Sequence, residues 1–92
     1  MTGANIRERL VRLGAWSTLV ALCREYGVSV EEVLSPCRSR TVVACRYRFL
    51  ALLRHTLDLS YPEIQAATGF DTTSGIEAVR RREAQLAEEH AA

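Results

Sequence analysis

Apolar positions recur every three to four residues along most of this chain, while the strict alternation of a strand is nearly absent. The period is that of helices with one buried face. Ile6, Leu10, Leu13, Leu19, Leu22 and Cys23, with Trp16 nearby, predict a first helix from Asn5, its candidate cap, to about Tyr26. Gly14 falls inside this run and marks a potential break, which would leave residues 1–13 as a separate short helix. Gly27 supplies a C-terminal stop. Ser29-Val-Glu-Glu32 is a capping box that opens a short helix through Leu34, and Ser35-Pro36 stops it, because the residue before proline avoids helical geometry. Residues 36–40 then form a basic loop.

A third helix is predicted from about Thr41 to Leu57. Val43, Tyr47, Phe49, Leu50, Leu52, Leu53 and Leu57 occupy much of its circumference, the pattern of a central helix with neighbours around it. Ser60-Tyr-Pro-Glu63 is a second capping box, with Pro62 in the first turn, where a missing N–H is tolerated. The helix it opens turns Ile64 and Ala67 inward and ends at Gly69. After a tight turn, Asp71 or Thr72 caps a last helix through about Glu88, with Ile76, Val79 and Leu86 facing the core. The expectation is a small all-α bundle, divided into an N-terminal helical extension (1–15), a main domain (16–88) and a frayed tail (89–92).

Composition agrees with one small folded domain: 48% of residues are hydrophobic and 25% charged. No apolar run is long enough for a membrane span, and Arg7, Arg9 and Arg12 interrupt what would be the apolar core of a signal peptide. Cys23, Cys37 and Cys45 are odd in number and lack a C-x-x-C pair, so a disulfide framework or a structural zinc is not expected. They read as reduced thiols, two of them as small apolar fillers within helices.

The net charge of +1 conceals a segregated distribution. Residues 33–57 carry Arg38, Arg40, Arg46, Arg48 and Arg54 with no acid, whereas residues 58–79 carry four acids and no base. All twelve basic residues are Arg, whose planar fork grips phosphates or guanine edges with two bonds. An acid-free basic block suggests an anionic partner. Arg46 and Arg54 lie about 80° apart on the helical wheel, and Arg48 points away from both, so the block cannot serve a single surface.

Residues 60–86 read as a short helix, a glycine-containing turn and a longer helix. This is the helix-turn-helix plan, whose second helix enters the major groove of DNA. Thr72, Thr73 and Ser74 place small hydroxyls at the tip of that helix, within reach of base edges, and Arg80 and Arg81 lie further along for phosphates. Asp71 reads equally as a helix cap. His55 reads as structural or solvent-facing, and no catalytic pairing is visible. Neither an enzyme, a cofactor nor a metal is therefore expected.

From about Trp16 to Leu86 the chain resembles the C-terminal DNA-binding domain of the bacterial replication initiator DnaA, which has a Trp-repressor-like helix-turn-helix. The likeness is carried by Val30-Glu-Glu-Val-Leu-Ser35, by Arg38-Ser-Arg40 and by the long helix with Arg46 and Arg54. It continues through Leu59-Ser-Tyr-Pro-Glu-Ile64, Gly69 and Asp71-Thr-Thr-Ser74, followed by Ala78 and Arg80. The resemblance implies double-stranded DNA as the partner and a regulatory role in transcription, replication or a mobile element. It implies that Arg38 enters the minor groove, beside Arg40 of the same loop, and that Arg46 and Arg54 contact the backbone. Tyr61 and Pro62 would abut a phosphate, Asp71, Thr72 and Thr73 would read the major groove, and Ser74 would support them. Arg80 would hold a further phosphate.

The departures fall on the reading surface. The turn is one residue shorter than the family's Gly-Gly-Arg-Asp-His-Thr-Thr and lacks its Arg; Thr72 stands for a His, Gly75 for a β-branched residue and Glu77 for a second His. These changes imply a sequence preference different from the initiator's box, reduced specificity, or lost DNA binding on a retained fold. No phosphate-binding G-x-x-x-x-G-K-[ST] loop is present, so the chain is expected to act as a standalone reader, cytoplasmic and associated with the nucleoid. The alternative is a protein-interaction module, with residues 1–15 pairing two copies or docking a partner.

Overall fold

A computed structural model describes the backbone of residues 3–91 and the side chains of residues 6–89. The described residues form six helices: α1 (Gly3–Arg12), α2 (Trp16–Tyr26), α3 (Val30–Leu34), α4 (Arg40–His55), α5 (Tyr61–Thr68) and α6 (Thr72–Ala91). No strand occurs among them, in agreement with the all-α expectation.

The long first segment is two helices. Gly14 adopts a left-handed φ of 73°, a conformation glycine takes without the steric cost of a Cβ, and the chain turns there. Because α1 begins at Gly3, Asn5 lies inside the helix rather than at its cap, and its side chain falls outside the described residues. Both capping boxes form as read. The Ser29 hydroxyl accepts from the Glu32 N–H at 3.0 Å and the Ser29 N–H donates back to Glu32, and Ser60 and Glu63 do the same around α5.

Helix α4 is central. Val42, Cys45, Phe49, Leu50, Ala51 and Leu53 are buried on it, and every other helix except α1 packs against it. The helix ends at His55, so Leu57 falls beyond it and is exposed rather than facing the core. The chain then reverses through Asp58, a non-glycine residue with φ of 54°. Helix α1 buries Ile6 and Leu10 in the same core and packs on α2 and α5. Helix α6 buries Gly75, Ala78 and Val79, whereas Ile76 and Leu86 are only half-buried. It continues through Ala91, and Ala92 lies outside the described residues.

The thiols of Cys23 and Cys45 meet in the core between α2 and α4. Burial raises the pKa of both, that of Cys45 to about 12, so they remain protonated and pack as small apolar groups.

Candidate nucleic-acid interface

Three local structures carry the sequence-predicted residues. The first is the corner between α5 and α6. Gly69 closes α5 with φ of 81°, and its N–H bonds the Gln65 carbonyl. Thr68, fully buried, donates its hydroxyl to the Ile64 carbonyl at 2.8 Å and accepts the Phe70 N–H at 3.3 Å, which fixes the path of the turn. The Asp71 carboxylate then accepts the Ser74 N–H at 2.8 Å, so Asp71 caps α6. That bond holds its carboxyl below the usual carboxylate range.

The tip of α6 carries the expected hydroxyls with different degrees of freedom. Thr72 is half-buried and donates its hydroxyl to the Gln65 side-chain oxygen at 3.0 Å, across the turn. Thr73 is exposed, and its hydroxyl has no partner among the described residues, whereas Ser74 is half-buried and its side chain hydrogen-bonds the Asp71 carboxylate. Gln65 is a site-lining residue that sequence reading missed. It sits seven residues from Thr72, on another helix, and only the turn brings the two together.

The second structure is the basic loop. Arg38 and Arg40 are exposed, and neither has an ion pair or hydrogen-bond partner among the described residues. Their counterpart on α4 behaves differently. Arg46 is only 8% exposed. Its Nε donates to the Val33 carbonyl at 2.8 Å, and its Nη2 donates to the carbonyls of Ser35 at 2.6 Å, Cys37 at 2.9 Å and Glu32 at 3.4 Å. The guanidinium also stacks over the Phe70 ring, 4.9 Å from its centroid. The Nε and Nη2 donors of Arg46, expected at the DNA backbone, are turned instead to the last carbonyls of α3 and the segment after it. Burial draws the Arg46 pKa below its ordinary value.

Arg46 has a geometric consequence for the other residues. Its carbonyl partner Cys37 immediately precedes Arg38, and its aromatic partner Phe70 lies two residues before Thr72. One buried guanidinium therefore joins the basic loop to the helix-turn-helix turn.

The third structure is the start of α5. Arg54 is half-exposed, pairs with Asp58 at 3.3 Å, donates to the Leu59 carbonyl at 3.4 Å and stacks 5.5 Å from the Tyr61 ring centroid. Tyr61 is half-buried, Pro62 beside it is exposed, and Arg80 is exposed on α6 with no partner among the described residues. Glu77, which opposes phosphate binding on charge grounds, is paired with Arg81 at 2.9 Å. Of the remaining sequence candidates, His55 is exposed and 4.0 Å from Glu83.

Among the described residues no helix is long and apolar enough to cross a membrane, and no group of three His, Cys, Asp or Glu side chains could hold a metal ion. Comparison with curated proteins found no match, and comparison with solved structures found none. The family model described as the bacterial dnaA protein helix-turn-helix matches residues 19–81, more than half of the chain. The matched region runs from α2 into α6 and includes the basic loop, the Arg46 clamp and the whole α5–α6 corner, and on that match the chain belongs to the bacterial DnaA helix-turn-helix family.

Proposed function

We propose that this protein binds double-stranded DNA with a sequence preference and acts as a regulator. In this reading the tip of α6, Asp71 to Ser74, faces the major groove, and Arg38, with Arg40 beside it, enters the adjacent minor groove. Arg54, Arg80 and the Tyr61-Pro62 start of α5 hold the sugar-phosphate backbone. The observation that carries the reading is the shared attachment of the basic loop and the α5–α6 turn to Arg46. It ties the loop that carries Arg38 and Arg40 to the turn that leads into the tip of α6. Two adjacent grooves of a duplex demand such a pairing, in which phosphate contacts position the protein and base-edge contacts specify the sequence.

Selection from a random duplex pool followed by sequencing tests the proposal. An enriched motif is expected, and Arg38→Ala should weaken binding to it by about 1–3 kcal/mol if the guanidinium reads a base. A pool that emerges without enrichment, or an Arg38→Ala variant that binds the selected duplex as tightly as the parent, would overturn it.

Exposed apolar residues favour a second reading. Val11 is 53% exposed and Leu13 38%, on and just after α1, although Ile6 and Leu10 of the same helix are buried in the chain's own core. A partner or second copy docking there would cover them. Light scattering across a concentration series would show a dimer, and a mass that stays monomeric removes the two-copy form of this reading.

A further inference from the structure

A second concentration of positive charge lies on the seam between α4 and α6, away from the α6 tip. A hollow of about 200 Å³ opens there, lined by Tyr26, Tyr47, Arg48, Arg81, Arg82 and Gln85 among others, and none of its lining residues is acidic. Arg81 is held in place, since it stacks over the Tyr47 ring at 4.6 Å and pairs with Glu77. Arg48 and Arg82 differ from it. Both are partly buried, both also line the next hollow along the seam, and neither has a hydrogen-bond or ion-pair partner among the described residues. Three arginines thus line one small space, and two of them have no ion-pair partner among the described residues. Like charges brought together in a partly desolvated cleft repel, and an anion relieves that repulsion while accepting their N–H groups in pairs.

We infer that this cleft binds a compact phosphorylated anion, a pyrophosphate or a small phosphate ester, as a site separate from the duplex-facing surface. Tyr26, Tyr47 and Gln85, whose side chains carry hydrogen-bond donors, line the same space. The volume suits a small occupant, because drug-sized ligands fill about 300 Å³ or more. Helix geometry separates the cleft from the reading face. Arg82 follows Thr73 by nine residues, about 180° around α6 and about 13 Å along it, whereas Arg80 falls within about 20° of Thr73. Arg82 therefore points away from the side that presents Thr73 and Arg80.

Calorimetric titration of the full chain with inorganic pyrophosphate, in chloride at fixed ionic strength and without DNA, tests the inference. Saturable binding is expected, weakened about tenfold or more by Arg48→Gln and by Arg82→Gln, and unchanged by Arg38→Gln. Because Arg48 and Arg82 have no hydrogen-bond or ion-pair partner among the described residues, both variants should keep the parent's circular dichroism and melting temperature. Backbone amide shifts on pyrophosphate addition should cluster at Ala44, Arg48, Ala78 and Arg82. The inference fails if pyrophosphate gives neither heat nor shifts, or if Arg38→Gln weakens binding as much as the cleft variants do. It fails too if those variants lose affinity only for a selected duplex, which would make DNA backbone the occupant. Absence of duplex binding by the parent protein would leave the pyrophosphate result standing, so the two readings fail separately.

Discussion

Arg46 is the residue on which the interface depends, and it acts from inside the protein. A buried guanidinium whose N–H groups meet carbonyl acceptors is stabilised, whereas carbonyls deprived of it inside the fold bear a desolvation penalty. Arg46→Met should therefore cost about 2–4 kcal/mol in urea unfolding. Arg46→Lys keeps the charge but not the fork that reaches Val33 and Cys37 together, and should recover only part of the loss. At temperatures where both variants remain folded, duplex affinity should fall with the loosening of the 35–38 loop. A second residue-scale effect concerns pH. The Asp71 carboxylate accepts the Ser74 N–H and the Glu63 carboxylate the Ser60 N–H, both at helix starts, and both are held below their ordinary values by those bonds. A depressed folded pKa contributes stability above the unfolded value, about 3.9 for Asp and about 4.3 for Glu, and the contribution is lost as pH falls through the folded value. The melting temperature should drop on acidification below about pH 4, and the Asp71→Asn/Glu63→Gln double variant should show a shallower drop over the same range. A profile unchanged by the double variant would assign the acid sensitivity to other carboxylates.

Between elements, the contact that matters most is α5 against α6. Gly75 lies inside α6, where glycine costs about 0.5–1 kcal/mol relative to alanine. The structure supplies a reason for it. A Cβ at Gly75 would lie 3.3 Å from the Cδ1 atom of Tyr61, so the small residue lets the Tyr61 ring rest on α6 while Arg54 stacks near it. Gly75→Ala should then be close to neutral, with the gain in helix propensity offset by displacement of the ring. Gly75→Val, with more bulk at the same place, should destabilise by about 1–3 kcal/mol. In a Tyr61→Ala background the obstacle is gone, and Gly75→Ala should stabilise by about 1 kcal/mol. Urea unfolding of these variants measures the coupling, and an equal effect of Gly75→Ala in both backgrounds would show that the ring does not constrain this position. The same pair of helices carries the Thr72–Gln65 bond, which restrains one tip hydroxyl; Ser74 is held to Asp71, and Thr73 has no side-chain partner among the described residues.

For the whole molecule, the segregation of charge is the property with a direct solution readout. If Arg40, Arg54 and Arg80 each neutralise one phosphate, the logarithm of duplex affinity should fall against the logarithm of salt concentration with a slope near −3, about −0.9 per phosphate. Arg80→Gln should reduce its magnitude by about 0.9, and Arg46→Lys should leave it unchanged because that guanidinium is not at the surface. Salt titration by fluorescence anisotropy reads both. A slope near zero would remove the backbone contacts from the proposal. Much of the architecture was legible in the residues alone, because its signals are local. The capping boxes at Ser29 and Ser60, the break at Gly14 and the helical spacing of Leu, Val and Ile each depend on neighbours within one or two turns. The site was legible as a set of residue types and only in part as a set of roles. Spacing on α4 shows that its arginines diverge, but not that Arg46 turns inward to α3 and Phe70 while Arg38 and Arg40 stay in water. Likewise, no local pattern pairs Gln65 with Thr72, seats Tyr61 over Gly75 or gathers Arg48, Arg81 and Arg82 around one hollow. The sequence by itself determined the helices, their ends and the supply of cations, through backbone preferences and hydrophobic periodicity that act over a few residues. Only the tertiary structure decided which cations are spent on the protein's own carbonyls and which are left for a partner, because burial and hydrogen-bond satisfaction depend on groups that meet across helices.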